Sequence, residues 1–133
     1  MKILVLEDDI RRIEIFEFYF KKLDLKVTSS SKEAVDLVNK IKYDVIFLDH
    51  DLGVDPNTGN KVNQVYLKSG EYTGYEAAQA IATSINKETP VVIHSYNQVG
   101  AKAMGDVLVK SVYYPFGVQK FDAVINSILK QAG

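Results

Sequence analysis

Three short apolar runs in this sequence end by releasing acids or imidazoles. "ILVL" (3–6) is followed by Glu7, Asp8 and Asp9, "DVIFL" (44–48) by Asp49, His50 and Asp51, and "VVI" (91–93) by His94, Ser95 and Asn97. A fourth run, "SVYY" (111–114), stops at Tyr114-Pro115. Carboxylates gathered at the ends of buried runs are costly, since two unit charges about 4 Å apart repel by about 4 kcal/mol at an effective dielectric near 20. Protons or a cation must compensate. The chain has no cysteine, so a metal would be held by oxygen or imidazole. Oxygen ligands suit a hard ion, Mg²⁺ or Mn²⁺, which would polarise a phosphoryl group and neutralise charge as it transfers. His50 and His94 are the only histidines, and an imidazole can serve as acid or base in phosphodiester chemistry.

Each of these residues also has a purely structural use. Asp8 and Asp9 suit the N-cap of a following helix, and Ser95 and Asn97 suit another. His94 could be a hydrogen-bonded core imidazole, His50 a surface residue, Asp51 a solvated turn acid, and Tyr114 a packing residue.

The elements that must position these groups follow from periodicity. The three apolar runs are short, continuous and β-branched, the pattern of strands buried on both faces of a parallel sheet. "KVT" (26–28) and "SVYY" complete a set of five. Helical patterns lie between them. Ile13, Phe16, Phe20 and Leu23 mark the first, although "IEIFEFYF" also alternates as a strand would. Ser30 and Glu33 form a capping box before the second, which carries Ala34, Leu37, Val38 and Ile41. Ala77, Ile81 and Ile85 share a face of the third, the fourth starts after Asn97, and Val118, Phe121, Ile125, Ile128 and Leu129 mark the last. Strict alternation predicts an α/β fold, a three-layer (βα)5 doubly wound parallel sheet whose ligands bind beyond the carboxyl ends of the strands. One connection is long: residues 53–73, "GVDPNTGNKVNQVYLKSGEYT", follow directly on the acids and read as a lid or a short hairpin.

Bulk properties narrow the classes. The 133 residues are 47% hydrophobic and 25% charged with a net charge of -1, which fits one folded domain over 1–133 and gives no electrostatic reason for non-specific nucleic-acid or membrane binding. The N-terminal "MKILVLEDDI" is too short an apolar run for a signal peptide, and no run approaches the length of a membrane span, so a cytoplasmic location is expected.

Taken together, "LVLEDD", "DVIFLDHDL", "PVVIHS" with Ser95 five residues after Pro90, and "YPF" resemble the receiver domains of two-component response regulators over nearly the whole chain outside 53–73. That resemblance implies a flavodoxin-like sheet of order 2-1-3-4-5. It implies that Asp8 and Asp9 hold Mg²⁺ and that Asp49 is both metal ligand and phosphoryl acceptor. The backbone carbonyl of Asp51 would complete the shell, and Ser95 would donate its hydroxyl to the phosphoryl group. The partner would be a sensor kinase or another phosphodonor, and a homodimer would be in keeping. Departures are equally plain. Tyr114 stands where receivers carry a phosphate-binding lysine, Ser111 where an aromatic switch residue is common, and Gly53 near the usual proline. Lys110, Lys102 and Arg11 are candidates to replace the lost cation, and Tyr114 and Asn97 to bind phosphate.

"LDHDLG" with "HSYN" and "VGAKAM" is similar to a divergent receiver-like family of phages and bacteria proposed to process cyclic phosphates. That resemblance implies a metal-assisted phosphoesterase acting on cyclic phosphate ends of nucleotides or RNA, with His50 and His94 in catalysis. "FLDHDLG" also resembles the Asp-x-Asp motif of haloacid-dehalogenase-type phosphatases, in which Asp49 would attack and Asp51 protonate. A degenerate receiver acting only through protein contacts is the remaining alternative.

Overall fold

The computed structural model describes residues 1–52 and 73–132; the lid or hairpin expected at 53–73 therefore lies, but for its last residue, outside the described residues. In chain order the elements are β1 (Lys2–Leu6), α1 (Ile10–Tyr19), β2 (Asp24–Thr28), α2 (Ser31–Lys40), β3 (Val45–Leu48), α3 (Tyr75–Ala82), β4 (Val91–Ile93), α4 (Gln98–Val107), β5 (Ser111–Tyr113) and α5 (Gln119–Ala132). The strands form one parallel sheet, as the alternating pattern predicts, and their order is the β2-β1-β3-β4-β5 that the receiver resemblance implies.

Strand alternation sorts the core into two layers. Leu4, Leu6, Ile46, Leu48, Val91 and Ile93 face the side covered by α2, α3 and α4, where they meet Val38, Ile81 and Met104. Ile3, Val5, Phe47 and Val92 face α1 and α5, where they meet Phe16, Phe20, Phe121 and Ile125. Phe16 is fully buried and lies against Phe47 and Phe121. This settles the helix-or-strand ambiguity of "IEIFEFYF": only a helical spacing brings Phe16 onto the sheet while leaving Phe18 at 67% exposure.

Several boundaries differ from the sequence pattern. Helix α1 ends at Tyr19, so Phe20 is its C-cap and Leu23 lies in the turn before β2. Helix α3 stops at Ala82, because the hydroxyls of Thr83 and Ser84 donate to the carbonyls of Ala80 and Ile81 and end the ladder. Ile85 is thus outside the helix and exposed, while Asn86 turns inward and donates to the carbonyls of Val38 and Ile41. The capping box of α2 is half formed: Ser30 Oγ accepts from Glu33 N–H, but the Glu33 carboxylate pairs with Lys26. Among the described residues no helix is long and apolar enough to cross a membrane.

Candidate functional site

Parallel pairing matches Val5 with Phe47, Phe47 with Val92 and Val92 with Val112. The ladder continues one step further, since Asp49 N–H donates to Leu6 O, His94 N–H to Leu48 O and Tyr114 N–H to Ile93 O. With a two-residue period, Glu7, Asp49, His94 and Tyr114 then form one row on the α1/α5 face at the carboxyl edge of the sheet. The strands that lie on either side of the chain reversal, β1 and β3, supply the two acids, as a ligand crevice at a topological switch point requires.

The centre of that row is a buried polar cluster. Glu7 and His94 are 0% exposed and Asp49 is 4% exposed. His94 Nε2 lies 3.1 Å from Glu7 Oε1, and the amides of Asp8 and Asp9 donate to Glu7 Oε2 at 2.9 and 3.1 Å. One donor atom each from Glu7, Asp49 and His94 fall within 4.8 Å of one another. On its other side the imidazole is packed among the rings of Phe16, Phe47, Phe116 and Phe121, and Nδ1 is buried without a partner. An unpaired buried N–H costs more than an unpaired lone pair, so this environment favours the tautomer with the proton on Nε2, donated to Glu7.

The charges in the cluster are unequally settled. Burial disfavours ionisation of Glu7, but the hydrogen bond from His94, the Asp9 amide and the charge of Arg12 outweigh it and hold the carboxyl at about 2. With Glu7 ionised, burial and its negative charge push Asp8 up to about 7 and Asp49 up to about 8. Two carboxyl groups thus retain protons that a divalent ion would displace. The carboxyl oxygens that Glu7 and Asp49 place within 4.8 Å of each other suit a hard cation such as Mg²⁺ or Mn²⁺.

The sequence-predicted residues divide between this cluster and a second one. Asp49 and His94 belong to the first, with Asp8 at its edge. Asp9 does not join it: its carboxylate caps α1, with Oδ1 accepting from the amides of Arg11 and Arg12 at 2.9 and 3.3 Å. Glu7, two residues earlier, takes the inward position instead. His50 and Asp51 lie with Asn97 near the start of α4. His50 Nδ1 is 2.5 Å from Asp51 Oδ1, and Asn97 Nδ2 donates to both Asp51 oxygens at 3.1 and 3.2 Å. Asn97 also caps α4 through Oδ1, which accepts from Gly100 N–H at 2.9 Å. The His50 ring rests on Gly100, where any Cβ would overlap it. Among the described residues His50 pairs with Asp51 and His94 with Glu7, so the two imidazoles serve different acids. Ser95 is buried at the end of β4, its Oγ accepting from Asn97 N–H at 3.0 Å. Tyr114 packs against the aromatic cluster on the α1/α5 face.

Among the described residues, the cation facing the acids is Arg12. Its Nη1 is 3.2 Å from Glu7 Oε1 and 3.8 Å from Asp49 Oδ2. Lys102 instead pairs with Asp106 on the surface, Lys110 lies before β5 at the opposite edge of the sheet, and Arg11 is exposed. Helical side chains lean towards the N-terminus, so a long residue three places after the cap overhangs the strand end before it. That offset, Asp9 to Arg12, is the signal by which the sequence could have revealed it.

Comparison with known proteins agrees with this fold. A family model described as a cyclic-phosphate processing receiver domain matches residues 3–110. The fold is similar to the receiver domain of a Pseudomonas aeruginosa sensor histidine kinase, a structure with a magnesium ion coordinated in its active-site cleft, at 19% identity and a TM-score of 0.63 over 97% of both chains. It is similar also to the receiver domain of a Francisella response regulator, at 21% identity and a TM-score of 0.61 over 99% of this chain and 98% of that one. The response regulator domain of a Thermotoga maritima protein, CheB, gives 20% identity and a TM-score of 0.57 over 98% of this chain and 92% of that one. A search of curated proteins found no match.

Proposed function

The chain belongs to the cyclic-phosphate processing receiver domain family, and from that premise we propose that it binds Mg²⁺ or Mn²⁺ at its acid row and accepts a phosphoryl group on Asp49. The observation that carries this reading is the in-register placement of Asp49 beside Glu7, with its carboxyl pushed up to about 8 by burial and by that neighbour. Glu7, Asp8 and Asp49 would hold the ion, with the Asp51 carbonyl as a further ligand. When bound, the ion supplies charge neutralisation at the transferring phosphoryl group. An Asp49 oxygen attacks phosphorus, the bond from phosphorus to the donor's leaving atom breaks, and the electron pair departs with that atom, giving an acyl phosphate. Ser95, whose Oγ accepts only from Asn97 N–H among the described residues, keeps its own proton to donate to a phosphoryl oxygen. The phosphodonor would be a sensor kinase or a small acyl phosphate, in the cytoplasm. Incubation with acetyl phosphate and Mg²⁺ followed by intact-mass measurement tests this: one phosphoryl adduct is expected in the wild type and none in Asp49→Ala. No adduct, or one that survives the substitution, counts against it.

A second reading, opening of a cyclic phosphate, is favoured by the Asp51–His50 pair. If Nδ1 keeps its proton and donates it as a hydrogen bond to Asp51 Oδ1, His50 Nε2 offers a lone pair as general base. Water would attack phosphorus and lose a proton to Nε2, one phosphorus–ribose oxygen bond would break, and the leaving oxygen would take up the proton. Turnover of a 2′,3′-cyclic nucleotide that falls in His50→Ala is the expected outcome; unchanged turnover removes His50 from the chemistry.

A further inference from the structure

We infer that Arg12 is the anion-binding cation of this site, taking the place of the lysine that Tyr114 displaces, and that Tyr96 and Phe116 are the platform that aims it. The inference rests on the reading that Asp49 carries the phosphoryl group. Arg12 is the one cationic side chain among the described residues that pairs with Asp49, at 3.8 Å. Its guanidinium carbon sits 5.6 Å from the centre of the Tyr96 ring and 5.8 Å from that of Phe116. Cation–π contact on two rings fixes the plane of a group that would otherwise be flexible. The platform is itself fixed: the Tyr96 hydroxyl donates to Phe116 O, and Phe116 N–H donates to His94 O.

This links the Pro-Phe turn after β5 to the N-terminus of α1 through a cation rather than through a lysine on β5. Among the described residues only Nη1 of the guanidinium is engaged with protein acceptors, so further N–H donors of the fork can meet a tetrahedral anion. A phosphoryl group on Asp49 would add one bond and three oxygens on a carboxylate already within reach. An arginine here differs from a lysine in consequence: it offers a planar fork, suited to two oxygens of one phosphoryl group, and it cannot release its proton.

The diagnostic property is a change of opposite sign for the two ligands. A fixed positive charge beside the acids opposes a divalent cation and favours an anion, whereas a merely structural residue would weaken both when removed. The test uses the full chain as wild type, Arg12→Gln, Arg12→Lys and Tyr96→Leu. Mn²⁺ affinity is read by calorimetry, and beryllofluoride affinity in saturating Mg²⁺ by fluorine NMR. Arg12→Gln should bind beryllofluoride roughly tenfold more weakly and Mn²⁺ more tightly than the wild type. Arg12→Lys and Tyr96→Leu should each lose several-fold in beryllofluoride affinity with Mn²⁺ affinity little changed. If Arg12→Gln binds both ligands as the wild type does, or loses both together, the inference is overturned. Should Arg12→Gln fail to fold, undiminished beryllofluoride affinity in Arg12→Lys and Tyr96→Leu overturns it equally. A wild type that takes up neither ligand overturns the proposed function itself, and this inference with it.

Discussion

Replacing Asp49 with asparagine keeps the shape of the side chain and removes only its charge, which isolates the electrostatics of the acid row. Burial and Glu7 raise this carboxyl from 3.8 to about 8. A group whose pKa is raised by folding contributes its full stability below its unfolded pKa and loses it as pH rises through the folded value. Without metal, the wild type should therefore lose stability relative to Asp49→Asn between pH about 4 and about 8, with no further divergence above. At about 1.4 kcal/mol per unit, the displacement sets a ceiling of about 6 kcal/mol. Water drawn to the ionised group reduces it, and about 2–3 kcal/mol is expected. For a chain of this size that corresponds to roughly 5–10 °C in Tm. Thermal unfolding in a chelator at pH about 4.5 and about 8.5 measures it directly. The variant should melt higher at both, by a clearly larger margin at the upper pH than at the lower, where only about 1 kcal/mol of the loss has developed. Equal melting at the upper pH, or a wild type that melts higher there, would refute the claim that burial and Glu7 make ionisation of Asp49 costly.

Other substitutions probe how the site is held. A Cβ at Gly74 would overlap the Asp49 carbonyl oxygen, so Gly74→Ala should destabilise by about 2 kcal/mol or more in urea unfolding through forced backbone movement. Asn97→Ala removes the α4 cap and the two hydrogen bonds to Asp51, and should cost about 1–2 kcal/mol in the same assay. Phe16→Ala empties the centre of the α1/α5 aromatic cluster, beside the His94 ring. A loss of about 3–5 kcal/mol is expected by denaturant unfolding.

The fold was readable because short β-branched runs alternate with amphipathic segments, and a parallel sheet buried on both faces is what such runs can build. Asp49 was readable for the same reason, as the first ionisable group after the most apolar strand. What could not be read depends on phase. Glu7, Asp8 and Asp9 all follow β1, and which turns inward depends on whether the helix cap falls on Asp8 or Asp9; the cap is Asp9, so Glu7 keeps the strand's inward phase. Likewise, two-residue alternation fixes that His94 shares a face with Val92, but only the pairing register shows that this is the face of Glu7 and Asp49 and that His50 lies elsewhere. Arg12 is not legible from the spacing of the acids, because its reach depends on the lean of helical side chains over the preceding strand end.

The central claim is that acids from β1 and β3 converge on one divalent ion. Calorimetric titration with Mn²⁺ near pH 7, repeated in buffers of different ionisation heat, measures both uptake and proton release. One site is predicted, with protons released because Asp8 and Asp49 hold them until about 7 and about 8, with affinity rising towards higher pH, and with binding lost in Glu7→Gln and Asp49→Asn. Absence of uptake in the wild type, or uptake that both substitutions leave intact, would contradict it.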